Sequence, residues 1–395
     1  MAIANNIKDA LASSSMIRKM FEEGAALKKQ YGTDKVFDFS LGNPDIEPPP
    51  AFHRVFLKMA QEDKKGSHGY MPNAGFYAVR ETLARKAGAE QAVRLEASHI
   101  VMTCGAAGAL NVALKAILNP GDEVIVARPY FMEYKVYAAN HGGILVEVDT
   151  KDNFDLDVPA LAARLSEKTA AVLINSPHNP TGKIYDAATL AELSGALRLH
   201  GTKTGRFPYL IADEPYREIV YQNKTVPPVL CAYDESLVIS SYSKSLSLPG
   251  ERIGYIAVSP TASRQEELVN ALIYTTRTLG FVNAPALMQR IVAELTFAKV
   301  DCAIYARRLA LLKQILTEAG IRYSEPEGAF YLFAQVPEGL NDQAFAELLK
   351  QHLILAVPGT GFGKPGWIRF AYCIDESLIA ASATAFKQVM AALKN

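Results

Sequence analysis

Short apolar runs separated by longer amphipathic stretches fill the first two thirds of the chain. Seven of these runs are rich in β-branched residues and end at polar or turn residues, which is typical of buried strands. They are HIVMT (99–103), EVIVA (123–127), ILVEV (144–148), AAVLIN (170–175), YLIAD (209–213), SLVISS (236–241) and IGYIAV (253–258). Helical spacing follows the first, third and fourth runs, in AAGALNVALKAIL, DLDVPALAARLS and DAATLAELSGALRLHG. The alternation predicts an α/β fold with a mainly parallel central sheet flanked by helices.

The pattern changes near Pro285. Long helical stretches at 286–319 and 341–352 surround the strand-like pieces AFYLFAQV and LILAV, and WIRFAY follows near the end. Since no Gly/Ser-rich linker intervenes, we expect a smaller α+β domain packed directly on the first, formed by both chain ends. The predicted division is an N-terminal arm with part of the small domain (1–44), a large domain (45–285) and a small C-terminal domain (286–395).

Composition limits the classes of function. Lys plus Arg equals Asp plus Glu at 41 each among 395 residues, so no bulk field favours nucleic acid or an anionic membrane. About 18 consecutive apolar residues occur nowhere, and the N-terminus has no signal-peptide pattern, so a cytoplasmic location is expected. The four cysteines lack the spacing of a metal site or a disulfide framework, and we expect buried thiols. They are Cys104, Cys231, Cys302 and Cys373.

Polar residues follow four of the predicted strands. Ligands of an open α/β sheet bind beyond the carboxyl ends of its strands, where this chain has CGAAGAL, SPHNPTG, DEPY and YSKS. Taken alone, Asp213 could be a helix cap, and a lysine such as Lys244 is usually exposed. Together, a helix N-terminus, an amide, a carboxylate, a phenol and an amine indicate one shared site.

This combination matches what pyridoxal 5'-phosphate requires. A helix N-terminus binds phosphate, and Asp213 can keep the ring nitrogen protonated. Asn179 and Tyr216 can donate to the ring oxygen. Lys244 can form a Schiff base with the aldehyde and then shuttle a proton, because burial and the nearby Arg252 would lower its pKa.

The chain resembles the class I/II pyridoxal-phosphate-dependent aminotransferases of fold type I, of the aspartate aminotransferase kind. The resemblance runs from about residue 30 to the end, through SLGNPD, GYMPNAG, GAAGALN, NSPHNPTG, IADEPY, SYSKSLSLPGERIGY, EGAFY and WIRFAY. It implies that Lys244 forms the Schiff base, that Asp213 faces the ring nitrogen, and that Asn179 and Tyr216 bind the ring oxygen. It also implies phosphate ligands in the turn Gly105, Ala106 and Ala107 and at Ser241, Ser243 and Arg252.

The resemblance extends to the substrate and to a partner chain. It implies that Phe131 stacks on the cofactor ring and that Arg369 binds the substrate α-carboxylate, helped by Gly42 and Asn179. Members of this family are homodimers with shared active sites, in which a tyrosine of the neighbouring chain reaches the phosphate. Tyr70 fits that position. The substrates are then an L-amino acid and a 2-oxo acid, used in turn by a ping-pong mechanism in amino acid metabolism.

Substrate choice stays open because some positions depart from the family pattern. Relatives often carry a hydroxyl in the phosphate turn, whereas Ala106 and Ala107 leave that contact to the backbone. Ala107 also replaces a lysine that binds a distal carboxylate in one subgroup. A second subgroup uses an arginine shortly before a Y-S-N-P-P segment of the neighbouring chain. Here R-T-L-G-F-V-N-A-P puts Arg277 one residue too early for a gapless match. Arg277 is a candidate for binding the distal carboxylate, and a surface charge or a charge beside the phosphate is an equal alternative. We favour an aspartate-type substrate, with an alanine or neutral amino acid aminotransferase as an alternative.

Other classes of protein explain less of the sequence. A carbon–sulfur β-lyase on the same fold would use the same cofactor ligands. A serine hydrolase of the S-x-x-K type is disfavoured because K-T-G (203–205) precedes the serine instead of following it. PGTGFGK (358–364) fails as a phosphate-binding loop because it starts with proline and Pro365 replaces the Ser/Thr. A transcriptional regulator would need a DNA-binding segment ahead of this domain, which we do not expect here.

Overall fold

The fold is taken from a computed structural model, which describes residues 3–4, 7–8 and 16–393, and the side chains from residue 23 onward within the last range. The first residues of the predicted N-terminal arm lie outside the described residues. Within residues 16–393 the α-helices are α1 Met16–Tyr31, α2 Pro50–Gln61, α3 Tyr77–Glu90, α4 Gly105–Ile117, α5 Glu133–Asn140, α6 Val158–Ala162, α7 Ala187–Thr204, α8 Tyr242–Ser245, α9 Gln265–Thr278, α10 Ala286–Glu294, α11 Cys302–Glu318, α12 Asp342–Gln351 and α13 Glu376–Ala392. The strands are β1 Phe37–Asp38, β2 Ile100–Thr103, β3 Glu123–Arg128, β4 Ile144–Asp149, β5 Thr169–Asn175, β6 Tyr209–Asp213, β7 Ser236–Ser241, β8 Gly254–Val258, β9 Tyr331–Gln335, β10 Ile354–Leu355, β11 Val357–Pro358 and β12 Trp367–Ala371.

A seven-stranded sheet forms the centre of the molecule, with the strand order β2-β8-β7-β6-β5-β3-β4. All neighbours from β7 to β4 are parallel, whereas β8 runs antiparallel to both β7 and β2. The predicted mainly parallel α/β sheet is confirmed, and each strand lies within one residue of its predicted ends. The antiparallel direction of β8 was not predicted, because a buried apolar run carries no signal for strand direction.

Apolar cores cover both faces of this sheet, as expected for strands that are buried on both sides. One core packs α3, α7 and α10 against one face, and the other packs α4 and α9 against the opposite face. The strands therefore hold their carboxyl ends at one edge, where the polar residues that follow them come together.

A third core lies around β9, β12, α11, α12 and α13. In that region β11, β12 and β9 form an antiparallel sheet, and β1 near the N-terminus pairs in parallel with β10. Both ends of the described chain thus contribute to the region around this third core. Through β12, this region brings Arg369 towards the large sheet.

Three expectations are corrected. The helical stretch 286–319 is two helices, α10 and α11, because residues 295–301 turn the chain between them. LILAV is two short strands in different sheets, β10 and β11, since each finds a different partner. Of the four free cysteines only Cys373 is buried, and Cys231 is exposed because it lies in a surface turn before β7.

Candidate active site

The predicted site residues meet at the carboxyl ends of the parallel strands. Asp213 ends β6 in register with Asn175 at the end of β5, and Lys244 lies in α8, directly after β7. Arg369 reaches the same place from β12. A cavity of about 320 Å³ is lined by most of the predicted residues. They are Gly42, Ala106, Ala107, Phe131, Asn179, Asp213, Tyr216, Ser241, Ser243, Lys244, Arg252 and Arg369.

Asp213 is a buried carboxylate with one oxygen in use. Its Oδ2 accepts a hydrogen bond of 2.6 Å from the Tyr134 hydroxyl. Its Oδ1 is buried and has no hydrogen-bond partner within the described part of the chain. Burial raises the pKa of Asp213 to about 6, and the bond from Tyr134 opposes that rise. An unsatisfied oxygen of this kind is costly unless a donor binds to it, so Asp213 can accept a proton donor from the cavity.

Lys244 is an amine held in an apolar setting. Its Nζ donates to the carbonyl oxygen of Gly42 at 2.6 Å and lies 5.4 Å from the centre of the Phe330 ring. The pKa of Lys244 is lowered to about 8, mainly by burial and to a smaller extent by the cations Arg369 and Arg252, while Cys373 opposes the change. A sizeable fraction of this amine is therefore neutral and nucleophilic near neutral pH.

The start of α4 forms a cup beside Arg252. Gly105, its first residue, has φ +74°, and a Cβ added there would lie 2.6 Å from Nη2 of Arg252. The N-cap residue Cys104 makes no side-chain capping hydrogen bond among the described residues. Free N–H groups at a helix start together with a guanidinium suit a phosphate. Ser241 and Ser243 line the same cavity.

Arg369 is a buried guanidinium, only 2% exposed. It donates through Nη1 to Oδ1 of Asn179 at 2.9 Å and through Nη2 to the carbonyl oxygen of Ser40 at 2.6 Å. Its Nε has no partner among the described residues. The rings of Tyr331 and Phe362 lie 4.5 Å and 4.8 Å from the guanidinium carbon. The group is thus fixed in place with donors to spare, as an anion receptor requires.

Three residues of the site were not predicted. Tyr331 lies 2.8 Å from Tyr216, hydroxyl to hydroxyl. Tyr134 binds Asp213, and Nδ2 of Asn175 donates to the Asp213 carbonyl oxygen at 2.7 Å. Tyr134 is three residues after the predicted Phe131, and Tyr331 ends the EGAFY motif that supports the resemblance. Both tyrosines therefore lay near features that the sequence analysis noted, without a role of their own.

Two predicted residues lie outside the cavity of this chain. Tyr70 is 95% exposed, and Arg277 is exposed near the end of α9, where its guanidinium lies 5.4 Å from the Tyr274 ring. Gly105 is buried at the base of the phosphate-type cup without lining the cavity itself. The roles implied for Tyr70 and Arg277 therefore stay predictions.

None of the helices in the described ranges is long and apolar enough to cross a membrane. No three His, Cys, Asp or Glu side chains among the same residues are grouped so that they could hold a metal ion.

The helix-flanked sheet places the chain in the α/β class, and its strand ends bring a partly buried lysine, a buried carboxylate and a buried arginine into one cavity. Residues 34–386 match the model of the aminotransferase class I and II family. The aspartate aminotransferase of Thermotoga maritima is 32% identical to the chain over 353 residues, covering 88% of this chain and 89% of that protein. The chain belongs to this family of pyridoxal-phosphate-dependent aminotransferases, and it is a transaminase.

Solved structures agree with this assignment. An aminotransferase from Eubacterium rectale superposes with a TM-score of 0.95 at 38% identity, over 100% of both chains. The aspartate aminotransferase of Thermus thermophilus with maleate superposes with a TM-score of 0.85 at 26% identity, over 95% of this chain and 96% of that one. The predicted fold class and family are thereby confirmed.

Proposed function

We propose that this chain transfers the amino group of an L-amino acid to a 2-oxo acid, with Lys244 joined to pyridoxal 5'-phosphate as a Schiff base. One observation carries the proposal. The partly buried Lys244 amine and the buried Asp213 carboxylate, whose Oδ1 has no partner among the described residues, line one cavity beside the Arg369 guanidinium. A cofactor with an aldehyde, a basic ring nitrogen and a phosphate fits this donor set.

The residues that would hold the cofactor surround the cavity. Backbone N–H groups from Gly105 to Ala107 and the side chains of Ser241, Ser243 and Arg252 would bind its phosphate, because a helix N-terminus and a guanidinium both stabilise anions. Asp213 Oδ1 would accept from the protonated ring nitrogen. Phe131 lines the cavity and would cover the ring.

The chain's own groups supply binding and proton transfer. When bound, pyridoxal phosphate supplies an aldehyde that exchanges amino groups and a ring that withdraws electrons from the substrate α-carbon. Arg369 would bind the α-carboxylate through its unused N–H groups, with Asn179 and Gly42 beside it. The neutral Lys244 amine would take the α-proton and later return one. Donor and acceptor would use the site in turn, so we expect ping-pong kinetics.

An aspartate-type substrate is our first choice. The relative from Thermotoga maritima is an aspartate aminotransferase, and the Thermus thermophilus enzyme was solved with maleate, a dicarboxylate. A specific observation favours a neutral amino acid instead. Within a single chain, the cavity's cations Lys244, Arg252 and Arg369 already have proposed roles and Ala107 supplies none, so an acidic substrate would need a cation from the neighbouring chain of the proposed homodimer.

Assembly, location and domain movement complete the proposal. We propose a cytoplasmic homodimer with a role in amino acid biosynthesis, in which the exposed Tyr70 side chain reaches the phosphate of the neighbouring chain's cofactor. Residues 1–44 and 286–395 would form a small domain on the large domain 45–285. Because Gly42 and Arg369 belong to the small domain, substrate binding would close it over the cavity and exclude water. A complex with a substrate analogue that keeps the domain angle of the free enzyme would contradict this closure.

Absorbance of the purified holoenzyme tests the proposed function. Aspartate, glutamate and alanine are added singly, and we expect the cofactor band to shift with a true donor and to recover on adding a 2-oxo acid. If acidic donors act and Arg277→Ala abolishes only their effect, Arg277 reads the distal carboxylate. If neutral donors alone act, that role is wrong. Pyruvate release from cystathionine without a 2-oxo acid would instead indicate the β-lyase.

A further inference from the structure

Tyr331 places a second phenol beside Tyr216 in the floor of the cavity. The two hydroxyl oxygens lie 2.8 Å apart, and the rings meet edge to face with centroids 5.6 Å apart. Both side chains are buried. Within the described part of the chain this is the one hydrogen bond found for the Tyr331 hydroxyl. Its proton therefore goes either to Tyr216 or into the cavity.

Packing fixes the position of Tyr331. Tyr331 lies on β9 opposite Ala371 of β12, so its ring and Arg369 share one face of the sheet. The guanidinium carbon of Arg369 is 4.5 Å from the ring centre. A Cβ added to Gly42 would lie 1.9 Å from the Tyr331 hydroxyl oxygen, so this oxygen occupies the place that a side chain at position 42 would need. The phenol thus lies between Gly42, Arg369 and Tyr216.

The direction of the bond between the two phenols decides what Tyr216 can do. Each phenol has a single proton to donate. If Tyr216 donates to Tyr331, it has no proton left for a group in the cavity. If Tyr331 donates, the Tyr216 proton is free to point into the cavity, and the incoming bond polarises Tyr216 into a stronger donor.

We propose that Tyr331 is a positioning residue for transamination: its hydroxyl donates to Tyr216 and thereby directs the Tyr216 O–H at the ring oxygen of the bound cofactor. This rests on the proposed function, in which Tyr216 serves that oxygen. Tyr331 acts through Tyr216 and, by its ring face, supports the Arg369 guanidinium. The hydroxyl and the ring of Tyr331 thus serve different groups.

Tyr331→Phe removes the hydroxyl and keeps the ring. The main measurement is the pKa of the visible cofactor band of the holoenzyme, titrated without substrate. A weaker donor leaves the ring oxygen more basic, so Y331F should raise this pKa by about 0.3 units, and Tyr216→Phe should raise it by roughly 0.5–1 unit. In the double variant Y331F should add no further shift, since its effect passes through Tyr216.

Steady-state kinetics separate the two parts of the side chain. For Y331F we expect kcat to fall roughly 3- to 10-fold with little change in KM for the amino acid, because the ring beside Arg369 remains. Tyr331→Leu removes the ring as well and should raise KM. Tyr372→Phe is the matched control. Its hydroxyl donates to the Tyr221 hydroxyl at 3.1 Å in the same core, away from the cavity, and its loss should leave the band pKa unchanged.

The possible results are distinct. If Y216F shifts the band and Y331F does not, the positioning role is wrong while the proposed function stands. The role is also contradicted if Y331F shifts the band pKa equally in the wild-type and Y216F backgrounds, or if Y372F shifts it as much as Y331F does. If Y216F itself leaves the band pKa unchanged, the proposed place of Tyr216 fails, and the inference fails with it. Thermal unfolding of each variant confirms that folded enzyme is compared.

Discussion

Replacing Arg369 by lysine tests the anion receptor while keeping its charge. Arginine has five N–H donors, of which two already bind Asn179 and Ser40. Three donors remain for a substrate carboxylate, including Nε, which has no partner in the described part of the chain, so a paired contact is possible. A lysine has three donors in all and, with the same two acceptors satisfied, would offer one. R369K should therefore lose one charge-assisted hydrogen bond to the α-carboxylate.

The size of the loss follows from that single bond. A hydrogen bond to a charged group contributes about 1.5–3 kcal/mol, which corresponds to roughly a 10- to 150-fold drop in kcat/KM. We expect most of the drop in KM, because the bond holds the substrate from binding through reaction. The cofactor band of R369K should match that of the unchanged enzyme, since Arg369 is not among the proposed cofactor ligands.

The assay is the rate of the cofactor band shift with an amino acid and with the matching amine that lacks the carboxylate. R369K should slow only the reaction of the amino acid. Arg322→Lys, a change at an arginine whose side chain is 73% exposed and does not line the cavity, controls for the loss of a guanidinium in general. Equal slowing of both substrates by R369K, or slowing of the amino acid by less than about 3-fold, would refute the carboxylate role.

Three further predictions concern the amine, the carboxylate and the phosphate cup. Because only the neutral amine of Lys244 reacts, the rate at which the apoenzyme takes up pyridoxal phosphate should rise with pH along a single ionisation near 8, the pKa of Lys244. A stopped-flow pH series measures this rate, and a midpoint near 10.5 would contradict the lowered pKa. Tyr134→Phe removes a hydrogen bond that lowers the pKa of Asp213, so the acidic limb of the pH profile of kcat should move to higher pH. An unmoved limb would argue against a role of the Tyr134 hydrogen bond in setting the Asp213 pKa. Gly105→Ala places a Cβ against Arg252 at a residue with positive φ, so cofactor binding measured by equilibrium titration should weaken at least 10-fold. Unchanged affinity would show that the phosphate does not bind at the start of α4.

The sequence predicts the large sheet well because its strands are buried on both faces. Such strands read as continuous apolar runs, and each of the seven predicted runs is a strand. The polar residues after them were therefore placed at one sheet edge, where Asp213 and Lys244 line the same cavity. Strand direction was less predictable, since the antiparallel β8 reads like its parallel neighbours.

Contacts between distant segments were harder to predict. The bond from Tyr134 to Asp213 joins residues 79 positions apart, and that between Tyr216 and Tyr331 joins residues 115 apart. Neither pair leaves a local pattern, because a buried tyrosine on an amphipathic element looks like ordinary core. The segment 295–301 was also missed, since its apolar residues continue the helical spacing across the turn.

The most direct test of the central claim is to reduce the holoenzyme with borohydride and map its peptides by mass spectrometry. Reduction would fix the cofactor irreversibly to whichever amine holds it. We predict a pyridoxyl group on the peptide that contains Lys244, and none when that residue is changed to alanine. A pyridoxyl group on another lysine, or a folded protein that takes up no cofactor, would contradict the account.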